Sequence, residues 1–382
     1  MQIAKSLQKI QPSYIREILK AASQPEVISL AGGLPAPEQF PMRLMTPALQ
    51  ALSTQSALFQ YANTAGYTPL LDYLTGLYQI PQSHSGLVCT GSQQALDLIA
   101  RAFIDPGDHI VLEAPSYLGA LQVFGLAQAQ IHSVRQNYDG PDIEQLTALF
   151  TTKKVKLFYA VPDFHNPTGV CWSVQTRQKV AELCQQYNVG FIEDIPYREL
   201  RFSGQPLPLV SSFCPEHSLA LRSFSKIATP GIRLGWMSGK NEWLESLIII
   251  KQAADLHSSV PMQAVLLALL KHQDFQAQLT QTQILYKNRY HCLREQLLQT
   301  LPGEYQINAV QGGMFLWLQM PKCNVEKIAQ SALNNGVAVV PSSVFYQKHY
   351  ASSTSALRLN FTHANETQLV QATQRLTEIL IA

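Results

Sequence analysis

Between about residues 86 and 238 of this 382-residue chain, short apolar runs alternate with stretches of helical period. The candidate strands are 86–89, 109–112, 155–161, 189–193, 218–221 and 234–238, each an apolar run too short for a helix. Between them Val180, Leu183, Cys184 and Tyr187 recur at helical spacing, and Ser173 stands where an N-cap belongs. Strands that alternate with helices in this way predict a mainly parallel sheet with helices on both faces, a three-layer αβα architecture. In such a sheet ligands bind at the carboxyl ends of the strands, in the loops leading to helices.

After about residue 260 the pattern changes. A helical stretch near 275–301 leads to Pro302-Gly303, then to an apolar run through 312–318 and a closing helix near 366–380. This reads as a smaller α+β domain, as expected of a chain longer than one core sustains. The expected division is a large domain over 41–285 and a small one built from 1–40 and 286–382, with Ala31-Gly32-Gly33-Leu34-Pro35-Ala36-Pro37 packed across the cleft.

Apolar residues make up 46% of the chain and charged residues 14%, and 28 basic against 26 acidic side chains leave +2. With no run of either sign, nothing points to nucleic acid or an anionic membrane. Cys89, Cys171, Cys184, Cys214, Cys292 and Cys323 lack metal-ligand spacing, and buried reduced thiols are expected. No signal core or membrane-length apolar run is present, so the expected location is the cytoplasm.

The candidate chemistry lies at the strand ends. Lys226 follows the buried run Leu219-Ala220-Leu221, among Ser223 and Ser225 and seven positions before Arg233. That setting suits an amine covalently bound to a phosphorylated aldehyde cofactor. Thr90-Gly91-Ser92-Gln93 opens a helix, whose positive end favours a phosphate, although any helix start looks similar. Asn166 begins Asn-Pro-Thr-Gly, either a plain tight turn or a turn that aims an amide at a ligand. Asp194 ends an apolar run and needs a cation; a pyridinium nitrogen, a helix cap or a salt bridge would each serve. Tyr117 and Tyr197 are either packing tyrosines or ring and phenolate partners. Arg358, inside an alternating strand, needs an anion, either a substrate carboxylate or a protein one.

In the order Asn166, Asp194, Tyr197, Lys226, Arg233 and Arg358, the chain resembles the fold-type I pyridoxal-phosphate aminotransferases of class I/II over nearly its full length. The segments Ile28–Pro37, Phe59-Gln60-Tyr61, Gly66–Leu70 and Glu113-Ala114-Pro115-Ser116-Tyr117 resemble the branch acting on 2-aminoadipate and multiple substrates. The resemblance implies that Lys226, Asp194 and Tyr117 are the catalytic set. Lys226 would bond the cofactor and move the proton, Asp194 would pair with the ring nitrogen, and Tyr117 would stack on the ring. Asn166 and Tyr197 would bond the phenolic oxygen, while Ser92, Gln93, Ser223, Ser225 and Arg233 would grip the phosphate. Tyr61 would complete the site of a neighbouring subunit, which implies a homodimer. Arg358, Asn166 and Gly33 would meet the substrate.

Arg16, in Ser13-Tyr14-Ile15-Arg16, resembles the family arginine that can meet a second substrate carboxylate; a solvated helix arginine is the competing reading. His165 departs from the glutamine common at that place in the family. The implied reaction is amino transfer from an L-amino acid to a 2-oxo acid such as 2-oxoglutarate in two half-reactions. The expected donors are 2-aminoadipate, glutamate, leucine and aromatic amino acids. β-Elimination or decarboxylation would use the same lysine, and a ligand-sensing domain is a third possibility.

Overall fold

A computed structural model describes residues 1–4, 7, 18, 24, 26–347, 350 and 354–381. Its strands, in chain order, are β1 (Ile28–Ser29), β2 (His84–Cys89), β3 (His109–Ala114), β4 (Gln130–Asn137), β5 (Gly140–Pro141), β6 (Val155–Ala160), β7 (Gly190–Asp194), β8 (Ser218–Ser223) and β9 (Gly235–Lys240). There follow β10 (Gln306–Ile307), β11 (Phe315–Met320), β12 (Val337–Ala338), β13 (Val340–Pro341) and β14 (Ser355–Asn360). Eight strands form one sheet in the order β2-β9-β8-β7-β6-β3-β4-β5. Its centre, β8-β7-β6-β3-β4, is parallel, and β9 runs antiparallel to both β2 and β8.

Period-two alternation divides the core between the two faces of this sheet. Ile110, Leu112, Leu157, Tyr159 and Ile192 join one cluster with Leu96 and Ile99 of the helix Ser92–Phe103 and Phe124 of the helix Leu118–Leu126. Val111, Phe158 and Phe191 join another with Leu146 and Val180, from the helices Ile143–Thr152 and Val174–Tyr187. Both faces are therefore covered, as the continuous apolar runs require. Ser173 caps the helix Val174–Tyr187, its hydroxyl accepting from the Thr176 N–H at 3.1 Å.

The structure also adds what the apolar pattern does not carry. β4 reads Gln-Ile-His-Ser-Val-Arg-Gln-Asn, with Val134 its one fully buried residue, so no apolar run marks it. The last large strand starts at Gly235, because Arg233 turns the chain through a left-handed conformation, φ 51°.

The chain then passes along the helix Phe275–Thr300 to a smaller antiparallel sheet of order β10-β11-β14-β13. Residues 28–36 form a strap between the two larger sheets, the Leu30 carbonyl accepting from the Asn360 N–H on β14 and the Gly33 carbonyl from Lys226 beyond β8. β1 pairs with β12, the Leu30 N–H donates to the Ala338 carbonyl, and the Ala36 N–H donates to the Tyr286 hydroxyl. Cys89, Cys184 and Cys214 are buried, Cys171 and Cys292 partly so, Cys323 is exposed, and all six are unpaired.

Candidate active site

The connections from β3 and β6 leave in opposite directions. β3 leads through Leu118–Leu126, on one face, to β4; β6 leads through Val174–Tyr187, on the other face, to β7. Adjacent parallel strands whose crossovers diverge leave a crevice beyond their carboxyl ends. A cavity of about 350 Å³ lies there. Its walls include Tyr117 after β3, Asn166 after β6, Asp194 at the end of β7, and Ser223, Ser225 and Lys226 at and beyond the end of β8.

One end of the cavity collects anion-binding groups. Ser92 and Gln93 open the helix Ser92–Phe103, whose first N–H groups have no partner within the helix. Arg233 sits against that turn, its guanidinium donating to the Thr90 carbonyl at 3.4 Å. Two glycines permit the approach. A Cβ on Gly91, which has φ +81°, would lie 2.8 Å from Arg233 Nη2, and a Cβ on Gly235 would lie 2.8 Å from the Ser92 nitrogen. Ser223 accepts from the Ser225 N–H, so both hydroxyl residues turn at the same strand end. The Gln93 side chain is engaged elsewhere: its carbonyl accepts from the Tyr117 hydroxyl at 3.0 Å and its amide donates to the Gly119 carbonyl.

The centre holds an amine and a carboxylate in unusual states. Lys226 Nζ donates to the Gly33 carbonyl at 2.8 Å, and burial, helped by the Arg233 and Arg358 charges, brings its pKa down to about 8. Asp194 is buried with Oδ2 accepting from the Tyr159 hydroxyl at 2.9 Å, while Oδ1 has no partner. Burial lifts its pKa to about 7, against the lowering by that hydrogen bond. Tyr117 is pushed up to about 12, mainly by burial and then by Asp194.

At the other end, Arg358 on β14 is buried, and burial lowers its pKa to about 10. It donates to the Asn166 side-chain carbonyl at 2.8 Å and to the Ala31 carbonyl, and its Nε is unpartnered. Phe315 and Phe345 flank the guanidinium at 4.4 and 5.1 Å. The Asn166 amide donates to the Tyr197 hydroxyl at 3.4 Å. No carboxylate pairs with Arg358 among the described residues.

The structure thus brings together Gly33, Ser92, Gln93, Tyr117, Asn166, Asp194, Tyr197, Ser223, Ser225, Lys226, Arg233 and Arg358. It does not bring Tyr61, which is 80% exposed with its ring edge-on to His257. Arg16 lies outside the described residues. Tyr159 and Gln122 also line the cavity, and sequence reading did not mark them. Tyr159 had a signal: it is the one hydroxyl in the apolar run of β6, facing the strand that ends in Asp194.

Comparison with known proteins identifies the family. Residues 25–376 match the profile of the family described as aminotransferase class I and II. The aromatic-amino-acid aminotransferase 1 of Thermococcus litoralis is 35% identical, over 96% of this chain and 91% of that protein. The kynurenine aminotransferase of Pyrococcus horikoshii, solved with PMP, superposes with a TM-score of 0.94 at 34% identity, over 99% of this chain and 96% of that one. An α-aminoadipate aminotransferase from Thermus thermophilus, solved with N-(5′-phosphopyridoxyl)-L-leucine, gives 0.92 at 32% identity, over 99% and 97% of the two chains. The chain belongs to the class I and II aminotransferases and is a pyridoxal-phosphate-dependent transaminase.

Proposed function

We propose that the cavity holds pyridoxal phosphate through the residues that line it, and that the enzyme transfers amino groups from aromatic amino acids, 2-aminoadipate and leucine to 2-oxoglutarate, with glutamate as the donor to the corresponding 2-oxo acids in the reverse direction. The observation that carries this reading is Asp194 Oδ1, a buried acceptor without a partner on the cavity wall. A protonated pyridine nitrogen satisfies it, and the added positive charge returns the carboxyl to its ionised form. Ser92, Gln93, Ser223, Ser225 and Arg233 suit the phosphate, Asn166 and Tyr197 the phenolic oxygen, Tyr117 the ring face and Lys226 the aldehyde carbon.

When bound, pyridoxal phosphate supplies a carbonyl that accepts an amino group and a protonated ring that draws electrons from the substrate Cα. The protein's residues supply the rest. Arg358 and Asn166 clasp the α-carboxylate, with the unpartnered Nε of Arg358 as the free donor. Lys226, with its pKa near 8, is neutral often enough at physiological pH to take the proton from Cα and return it. The Gly33 carbonyl holds Nζ at the mouth of the strap formed by residues 28–36.

The donor range rests on the names of the relatives, which include aromatic, kynurenine and α-aminoadipate enzymes. Arg16 is the residue assigned to a second carboxylate of the donor. The domain division follows the sheets, with 41–285 as the large domain and 1–40 with 286–382 as the small one. Tyr61, exposed beside the exposed Phe59, is assigned to the phosphate site of a second copy, which makes the enzyme a homodimer. Its unpaired buried cysteines favour the reducing cytoplasm.

A panel of donors assayed with 2-oxoglutarate, reading glutamate formation, tests the assignment. Glutamate appearing with 2-aminoadipate, leucine and aromatic donors is expected, with Arg16→Ala losing 2-aminoadipate and keeping leucine. Pyruvate and ammonia from β-substituted amino acids, without glutamate, would make the reaction an elimination.

A further inference from the structure

Behind the cavity, a second titratable pair sits at the same strand ends. Glu113 is the penultimate residue of β3, and His165 follows β6, the adjacent parallel strand. Both are buried, at 2% and 1% exposure. Glu113 lies four residues before Tyr117, and His165 immediately before Asn166. The site described above uses neither.

The directions of the hydrogen bonds around them determine where the protons lie. Glu113 Oε1 accepts from the Gln136 amide at 3.0 Å and from the Trp172 indole at 3.1 Å. Because Gln136 donates through its nitrogen, its oxygen is the acceptor for the Thr168 hydroxyl at 2.6 Å. With that proton committed, the Thr168 oxygen accepts from His165 Nδ1 at 3.0 Å. A neutral imidazole has one ring proton, so Nε2 carries a lone pair. It faces Glu113 Oε2, 3.9 Å away, which has no hydrogen-bond partner. Two buried lone pairs opposed in this way repel unless a proton lies between them.

A charged pair does not resolve the conflict. Burial pushes the His165 pKa down and that of Glu113 up against the hydrogen bonds from Gln136 and Trp172. Among the described residues no other charged group lies at hydrogen-bond distance from either, and at 3.9 Å the contact lacks the bond that would offset the desolvation of an ion pair. Their proximity is therefore the contact of two neutral groups. A turn of the carboxyl that closes the gap by about an ångström makes it a hydrogen bond.

We propose that Glu113 is a carboxylic acid that donates its proton to His165 Nε2, and that this bond is the positioning element for Asn166. His165 clasps its own turn: its N–H donates to the Val170 carbonyl at 2.8 Å, and its carbonyl accepts from the Gly169 N–H at 2.6 Å. Holding the ring from β3 therefore holds the turn that presents Asn166 to Arg358. A glutamine in place of His165 would bring an N–H donor of its own and favour the carboxylate form of Glu113. The proton belongs to the histidine version of the turn.

The positioning role rests on the assignment of Asn166 and Arg358 to the substrate carboxylate; the proton does not. Infrared difference spectroscopy of the holoenzyme at neutral pH, native minus Glu113→Gln, is expected to show the carbonyl stretch of a protonated carboxyl. Asp194 is common to both samples and cancels. His165→Gln is expected to lose the same band. The Glu113→Gln amide still donates to Nε2, so its KM for the amino donor is expected within about twofold of native. Glu113→Leu cannot donate, and its KM is expected to rise about tenfold with the cofactor absorbance kept and kcat less affected. Absence of the band overturns the proton. A Glu113→Gln enzyme as impaired in KM as Glu113→Leu overturns the positioning role, and the native and glutamine forms decide both points should the leucine form not fold. An Asn166→Ala variant with unaltered KM would strike at the assignment of Asn166 instead, and would leave the band in place.

Discussion

In three buried side chains, Lys226, Asp194 and Glu113, burial shifts the pKa toward the neutral form. For Asp194 the consequence is catalytic. On the proposed assignment Asp194→Ala removes the partner of the ring nitrogen, and kcat should fall roughly a hundredfold or more while the protein still folds, checked by steady-state kinetics beside circular dichroism. For Glu113 the consequence is a pH-dependent stability. Its proton leaves the unfolded chain near 4.5 and the folded chain near 8, so between these values the folded state binds more protons and stability falls as pH rises. The cost is absent below the lower value and complete above the higher one. The native melting temperature should therefore drop relative to Glu113→Gln between about pH 5 and 8; a gap that does not change with pH would mean that Glu113 titrates as a solvated acid. The residues legible in the sequence were those whose surroundings contradict them, such as Asp194 and Arg358 at or within apolar strands. Tyr159 offered only a lone hydroxyl in an apolar run and Glu113 only a carboxylate in another, because their partners depend on which strand lies beside β3 and β6, and strand order is a long-range fact.

At the scale of elements, the start of β9 and the start of the helix Ser92–Phe103 touch backbone to backbone. A methyl at Gly235 would lie within 2.9 Å of Gly91 C, Ser92 N and the Arg222 carbonyl, none of which can swing aside. Gly235→Ala should push the Ser92 turn away from Arg233 and weaken cofactor binding about tenfold or more, by titrating the absorbance of the reconstituting enzyme. The strands at the centre of the sheet were readable because burial on both faces makes them apolar over most of their length, as in Ile110–Leu112 of β3 and Leu157–Ala160 of β6. β4 was not, since it is largely polar and mostly half-buried. Boundaries moved by one to three residues where local geometry intervened, as at Arg233, whose left-handed conformation delays β9.

At the scale of the molecule, the proposed role of Tyr61 in the site of a second copy predicts complementation between damaged copies. Mixing a Tyr61→Ala chain with a Lys226→Ala chain under exchange conditions should restore activity to about a quarter of native, since half the dimers are mixed and each holds one intact site. No recovery, with exchange verified by mass, would mean that Tyr61 serves no neighbouring site. The two sheets were legible from the change of pattern after residue 260, and the strap between them from Gly32-Gly33 and its prolines. What that strap grips was not legible, because it does so with main-chain atoms. Ala31 and Gly33 offer carbonyl oxygens to Arg358 and Lys226. Every amino acid has that oxygen, so no substitution at either position deletes the acceptor. Inherited change reaches these two tethers through the length of the segment: one residue gained or lost between 28 and 36 would slide both acceptors out of phase at once. Packing restrains the letters here, since Leu30, Ala31 and Ala36 are fully buried, but only a change of spacing reaches both tethers together.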